Sequence, residues 1–274
     1  MPNERRLVGV ADLSRDRSRL RVTGTDRVAY LHGQCTNDIK SLAVGQSCYA
    51  VFLNAKGKMR GDAHVACVKD AFMLETSVGL QPSLEKFIIT EDVTIDDVSG
   101  ARGEWLVVGT ATVTLPAGAV TFSHPLGVGV ISALPLVATL GAEALEVMRI
   151  EAGIPKWGVE IDENTIPVEA GLAGRAISYD KGCYIGQETI ARIKTYGHVN
   201  RQLVQLSVDS DELPVKGAKI LADEKEAGQV TSATYSNRLG KMLALGYVRR
   251  EFAITGTKLK INQQSAEVLK LCGE

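Results

Sequence analysis

From Arg201 onward the chain is a series of short β-like runs: RQLVQLSV, AKILA, EAGQVTSATYS, KMLALGYVRR and TKLKI. They follow one another at near-regular spacing, with Gly217, Gly228, Gly240 and Gly256 assigned to the turns. Segments this short cannot bury an apolar face alone, so they must pair with one another. The spacing is the signature of a small antiparallel barrel or sandwich. A boundary near residue 200 follows, dividing the chain into an α+β region over 1–200 and a β-domain over 201–274.

Upstream, SRLRVTG (18–24) alternates Leu20 and Val22 with polar residues, the pattern of a strand. Thr25 and Asp26, both good N-cap types, precede apolar Val28, Leu31 and Cys35, which predicts a helix over 26–36. Runs at 47–54, 60–68 and 71–77, broken by NAKGK and KDA, predict an antiparallel meander. LQPSLEKFII (80–89) reads as a second helix, and DVTIDDV and EWLVVGT read as further strands. LGAEALEVMRIEAGI (140–154) combines strong helix formers with Gly153 as its stop. Residues 155–200 lose this regularity while keeping moderate hydrophobicity, which assigns them to function rather than to disorder.

Composition narrows the class. The chain has 274 residues, 45% hydrophobic and 23% charged, the range of a soluble globular protein, and a formal charge of −1 that calls for neither nucleic acid nor an anionic membrane. No apolar run reaches eighteen residues, so no membrane helix is expected. The N-terminal MPNERRLVGVADLSRDR is charged and lacks the apolar core of a secretory signal, which leaves the cytoplasm as the expected location. The scattered Cys35, Cys48, Cys67, Cys183 and Cys272 suit free thiols better than a disulfide framework or a zinc site.

Four segments could carry chemistry. In YDKGCYIGQETIARIK (179–194), Gly182 and Gly186 bracket Cys183, and a helix beginning at Gln187 and Glu188 would follow the loop. Lys181 and that helix N-terminus would both favour a thiolate; the plainer reading is a small buried cysteine with Lys181 in solvent. In MRIEAGIPKWGVEIDENTIPVEAGL (148–172), Glu151 and Glu169 are the acids best placed to point inward and take two N–H bonds from a pterin-like edge. In LNAKGKMRGDAHV (53–65), Asp62 opens a return strand, either as a base or ligand anchor or as part of an ordinary hairpin. Arg192, Lys194, His198 and Arg201 make a basic run suited to an anionic cofactor tail or to a solvated face.

KGCYIGQE (181–188), RIEAGIPKWGVEID (149–162) and IPVEAGL (166–172) together resemble the YgfZ family of folate-binding proteins, relatives of the aminomethyltransferase, or T-protein, of the glycine cleavage system. The resemblance implies an α+β, aminomethyltransferase-like folate-binding fold with a C-terminal antiparallel β-barrel. It implies tetrahydrofolate as ligand and a role in iron–sulfur cluster assembly or repair, with iron–sulfur enzymes or assembly proteins as partners and only an indirect effect on tRNA modification. Cys183 and Lys181 would belong to the functional motif. Glu169 first and Glu151 second would meet the pterin, with Asp62, Gly182, Tyr184, Gln187 and Arg192 as further cofactor contacts. T-proteins carry an aspartate pair where this chain has Gly61-Asp62, which sets the alternative, aminomethyl transfer to tetrahydrofolate, against the sequence.

Overall fold

The computed structural model describes residues 8–273; the first seven residues of the charged N-terminal segment fall outside them. The chain divides into two compact units that interleave in sequence. One holds residues 8–142 and 175–191, the other 143–174 and 192–273.

The first unit contains β1 (Gly9–Asp12), β2 (Ser18–Thr23), α1 (Arg27–Gln34), β3 (Ser47–Leu53), β4 (Met59–Val68), β5 (Ala71–Thr76), α2 (Leu80–Glu85), β6 (Thr94–Asp97), β7 (Gly103–Val108), β8 (Val120–His124) and β9 (Gly127–Ser132). The expected meander is there: β3, β4 and β5 pair in turn, and β2 and β6 extend them into a five-stranded sheet of order β3-β4-β5-β2-β6. A four-stranded sheet, β1-β7-β9-β8, lies against it through Ala66, Met73, Phe122 and Ile131. On the other face, Leu20, Val22, Phe52 and Leu74 pack with Tyr30 and Leu31 of α1 and Leu80 and Leu84 of α2.

Local chemistry explains two helix boundaries. Asp26 occupies the N-cap position of α1, but its Oδ2 accepts from the Asp92 amide at 2.9 Å rather than capping its own helix. Asp92 replies with Oδ2, which accepts from the Thr25 amide and hydroxyl. The second helix is shorter than the run 80–89 suggests: Gly79, at φ +89°, opens it, and past Glu85 the chain continues as turns closed by Phe87 N–H to Leu84 O and Ile88 N–H to Glu85 O.

The second unit begins with α3 (Ala142–Ala152), whose first residue belongs to the other unit, and a 3-10 turn at Pro167–Ala170; α4 (Ala173–Ala176) and α5 (Gln187–Tyr196) follow across the unit boundary. Then come β10 (Arg201–Val208), β11 (Lys219–Ala222), β12 (Lys225–Ser236), β13 (Lys241–Arg249), β14 (Lys258–Ile261) and β15 (Gln264–Leu271). These six strands form a closed antiparallel barrel of order β10-β13-β12-β11-β14-β15, which decides between barrel and sandwich. Val204, Leu206, Ile220, Val230, Leu259 and Val268 fill its interior. Two hairpins turn on Asp223-Glu224 and Asn262-Gln263, all four at positive φ, the handedness that matches the twist of the strands they join.

Candidate functional site

The Cys183 loop is built against the C-terminal end of α1. An α-helix ends with backbone carbonyls that lack intrahelical donors and carry the negative end of its dipole. Here the Lys181 ammonium fills that role, donating to His32 O at 2.6 Å, Cys35 O at 2.7 Å and Asn37 O at 2.9 Å. The side chain is buried, with its nitrogen 5.1 Å from the centre of the buried Tyr184 ring. Burial pushes its pKa below the ordinary lysine value, with the nearby Cys35 acting in the opposite sense.

The segments also exchange neutral bonds. Ile185 N–H donates to Gly33 O, Ser178 N–H to Thr36 O and Thr36 Oγ1–H to Ala176 O. Gly186 sits at φ +84°, where an added Cβ would lie 2.6 Å from Asn54 O, so only glycine lets the loop pass that close to the end of β3. Between these anchors Gly182 and Cys183 are exposed. The sulfur is therefore surface material, and the lysine beside it in sequence is directed at carbonyls beneath the loop. Gln187 opens α5 half-buried, and Arg192 is exposed on the same helix.

Asp62 belongs to a different cluster, lying between the two sheets of the first unit. Its Oδ1 is 2.9 Å from Arg17 Nη1 and its Oδ2 accepts from Tyr49 Oη at 2.7 Å, so both oxygens already hold a donor. Arg17 Nε also pairs with Glu75 Oε1, and Glu75 Oε2 lies 2.7 Å from His64 Nδ1. Burial opposes the charge on Glu75, yet Arg17 and His64 hold its pKa well below the usual carboxylate range. Glu104 is the converse: burial, reinforced by Glu75, pushes its pKa far up, and its Oε2 has no partner among the described residues. His64 stacks on Phe122 with ring centres 4.7 Å apart, and Arg175 lies over the Tyr49 ring. Burial, then His64, lowers the His124 pKa to about 3. Sequence reading found only Asp62 of this cluster, because its partners stand 45 and 13 residues away in the chain.

The two glutamates expected to meet a pterin lie in the second unit and differ. Glu151 has both oxygens engaged, Oε1 by Ser236 Oγ and Oε2 by Arg238 Nε at 3.0 Å. Glu169 is buried on the 3-10 turn, where Oε2 accepts from Arg201 Nε at 2.9 Å while Oε1 receives no donor among the described residues. Arg201 also covers the Tyr247 ring at 4.4 Å. A third acid, Glu160, is fully committed: it accepts from Arg149 Nη1 at 2.8 Å, the Lys156 amide at 3.0 Å and Ser232 Oγ. A groove of about 620 Å³ runs beside Gly9, Val10, residues 111–116 and residues 134–137, and none of the expected site residues lines it.

With this architecture the fold is that of the aminomethyltransferases. The crystal structure of the glycine cleavage system aminomethyltransferase T from Bartonella henselae superposes with a TM-score of 0.82 over 99% of this chain and 88% of that one, at 19% sequence identity. The chain carries a GCVT N-terminal domain over residues 3–117 and a glycine cleavage T-protein C-terminal barrel domain over residues 201–271. A chloroplastic protein of Arabidopsis thaliana, named as a provisional transferase, is 28% identical over 96% of this chain and 70% of its own length. An aminomethyltransferase of Thermosynechococcus vestitus is 38% identical over 46% of this chain, a match that spans 34% of that enzyme. No helix among the described residues is long and apolar enough to cross a membrane.

Proposed function

We propose that this chain is a cytoplasmic tetrahydrofolate-binding protein of the YgfZ type, serving the assembly or repair of iron–sulfur enzymes through the thiol of Cys183. Effects on thiolated tRNA are then indirect, passing through the iron–sulfur enzymes that modify it. The observation that carries the reading is the exposure of Cys183 on a loop whose flanking residues are fastened to α1. A thiol that only filled volume would be expected among aliphatic side chains.

Tetrahydrofolate carries one-carbon units, and its pterin presents adjacent N–H donors to a carboxylate. Glu169, with Oε1 open, suits that edge; Glu151, with both oxygens held, suits it less. Arg192 remains available on α5 for the anionic tail, and Gly182, Tyr184 and Gln187 shape the loop beside the thiol.

Aminomethyl transfer, the activity named for the Thermosynechococcus relative, is the competing reading. It needs an acid free to meet the substrate. Gly61 supplies none, and a Cβ there would lie 2.7 Å from Ser77 Oγ; Asp62 is closed off by Arg17 and Tyr49. The test has two arms. Calorimetric titration should show tetrahydrofolate binding to the native chain and to Cys183→Ala. In cells lacking the protein, Cys183→Ala should fail to restore iron–sulfur enzyme activity. Full restoration by that variant, or methylene-tetrahydrofolate formation from an aminomethylated lipoyl donor, rejects the proposal.

A further inference from the structure

Lys181 and Cys183 are two residues apart, which invites the view that the ammonium holds the thiol charged. The hydrogen bonds say otherwise. An ammonium has three donors, and Lys181 spends them on His32 O, Cys35 O and Asn37 O, at 2.6, 2.7 and 2.9 Å. These acceptors flank the last residue of α1, Gln34, where unpaired carbonyls and the helix dipole together favour a cation. The bonds join segments 144 to 149 residues apart in the chain.

The rest of the loop shows the same fastening. On one side of Cys183 stand Ser178 N–H to Thr36 O at 3.0 Å and Thr36 Oγ1–H to Ala176 O at 2.6 Å. On the other stands Ile185 N–H to Gly33 O at 3.2 Å. The neutral bonds to the end of α1 named here are made by Ala176, Ser178 and Ile185, on either side of Cys183. Between them the Lys181 ammonium also ties the loop to the end of α1, and Cys183 lies two residues beyond it, exposed.

We propose that Lys181 is a positioning residue, whose ammonium fastens the Cys183 loop to the C-terminal end of α1 and so holds the thiol in one outward pose, without acting on the sulfur itself. The proposal rests on the reading that Cys183 is the working thiol. It deepens that reading by giving the lysine a task separate from thiol chemistry. Losing the ammonium would strand three carbonyls and free the loop between Ser178 and Ile185, leaving Cys183 present and accessible but no longer held.

Three measurements on the full-length protein test this. The first is amide hydrogen exchange of native protein, Lys181→Met and Lys181→Gln. Met keeps the length and burial of the side chain without a donor; Gln keeps two donors without a charge. Exchange of the Ser178 and Ile185 amides should quicken about tenfold or more in Lys181→Met and by an intermediate factor in Lys181→Gln, while amides of β4 and β5 keep native rates. The second is the pH profile of iodoacetamide alkylation at Cys183, read by peptide mass. It should lie at the same pH in all three proteins. The third is restoration of iron–sulfur enzyme activity, which should fall in the order native, Lys181→Gln, Lys181→Met.

An alkylation profile displaced to higher pH in both variants, with native exchange in the loop, overturns the proposal, since the ammonium would then act on sulfur. Native exchange in Lys181→Met overturns it as well. If Lys181→Met does not fold, Lys181→Gln decides by the same criteria. The underlying reading fails separately, if Cys183→Ala restores activity in full; the exchange result then still decides whether Lys181 holds the loop.

Discussion

Tyr49 donates its phenol hydrogen to Oδ2 of Asp62 at 2.7 Å, a diagonal contact across the β3–β4 pair in which Tyr49 itself stands opposite His64. Diagonal neighbours on one sheet face lie within reach of a long aromatic side chain. With Arg17 on the other carboxylate oxygen, both oxygens of the aspartate expected to anchor a ligand already hold a donor within the unit. Removing one member of a buried ion pair typically costs 3 kcal/mol or more. Asp62→Asn should therefore lower unfolding stability by about 3 kcal/mol in urea titration, leaving tetrahydrofolate affinity within a small factor of native. Native stability with lost folate binding would instead make Asp62 a ligand contact.

Next to this cluster, His124 has a pKa lowered to about 3 against an ordinary 6.5, chiefly by burial. Between those values the unfolded chain binds a proton that the folded chain refuses. The resulting stability is complete above pH 6.5 and is lost as pH falls towards 3, at up to about 1.4 kcal/mol per pH unit. His124→Gln should flatten this slope. Urea midpoints measured at pH 7 and pH 5 should separate less in the variant than in native protein, and equal separations would count against the assignment.

Glu169 and Arg201 make the half-exposed ion pair nearest to the proposed pterin role. Glu169→Gln keeps the shape and one acceptor but removes the charge, and hydrogen bonds to charged groups contribute about 1.5–3 kcal/mol. Calorimetry should show tetrahydrofolate binding weakened about tenfold to a hundredfold. Glu151→Gln, at a side chain already held by Ser236 and Arg238, should bind almost as the native chain does. The reverse ranking would move the pterin to Glu151.

Gly186 offers a backbone test of the loop. Its φ of +84° is strained for any other residue, and a Cβ would lie 2.6 Å from Asn54 O and 2.8 Å from Leu53 Cβ. Gly186→Ala should cost about 1–3 kcal/mol and raise alkylation of the buried Cys35, while the barrel keeps its circular-dichroism signature. An unaltered melting temperature would show that the loop has another way past β3.

Much of the fold was legible in local pattern. The strand at 18–23, the helix ending at Gln34, the meander and five of the barrel strands follow from alternation and from turns at Gly217, Gly240 and Gly256, whereas Gly228, expected at a turn, lies inside β12 opposite Val248. The sixth, β15, was not, because its first residues, Gln264 and Ser265, are polar and exposed, and only Ala266 and Val268 turn fully inward. β8 and β9 were missed because their buried residues, such as Phe122 and Val130, find a core only when a second sheet arrives. The Cys183 loop was legible as a motif and not as a geometry. KGCYIGQE marks the loop, but adjacency along the chain cannot say that the Lys181 side chain turns beneath it while Cys183 faces out. Nor could Arg17, Glu75 and His64 be assembled around Asp62 from spacing alone.

The first unit is completed by residues 175–191, which emerge from the ribosome only after the linking segment that belongs to the second unit. Synthesis proceeds at roughly 5–20 residues per second, so for several seconds the end of α1 must wait without its lysine. In a nascent chain stopped before residue 181 the carbonyls of His32, Cys35 and Asn37 would lack the ammonium that one released a little later would bring them. This late closure makes the maturation of the domain an event that can be timed on the translating ribosome.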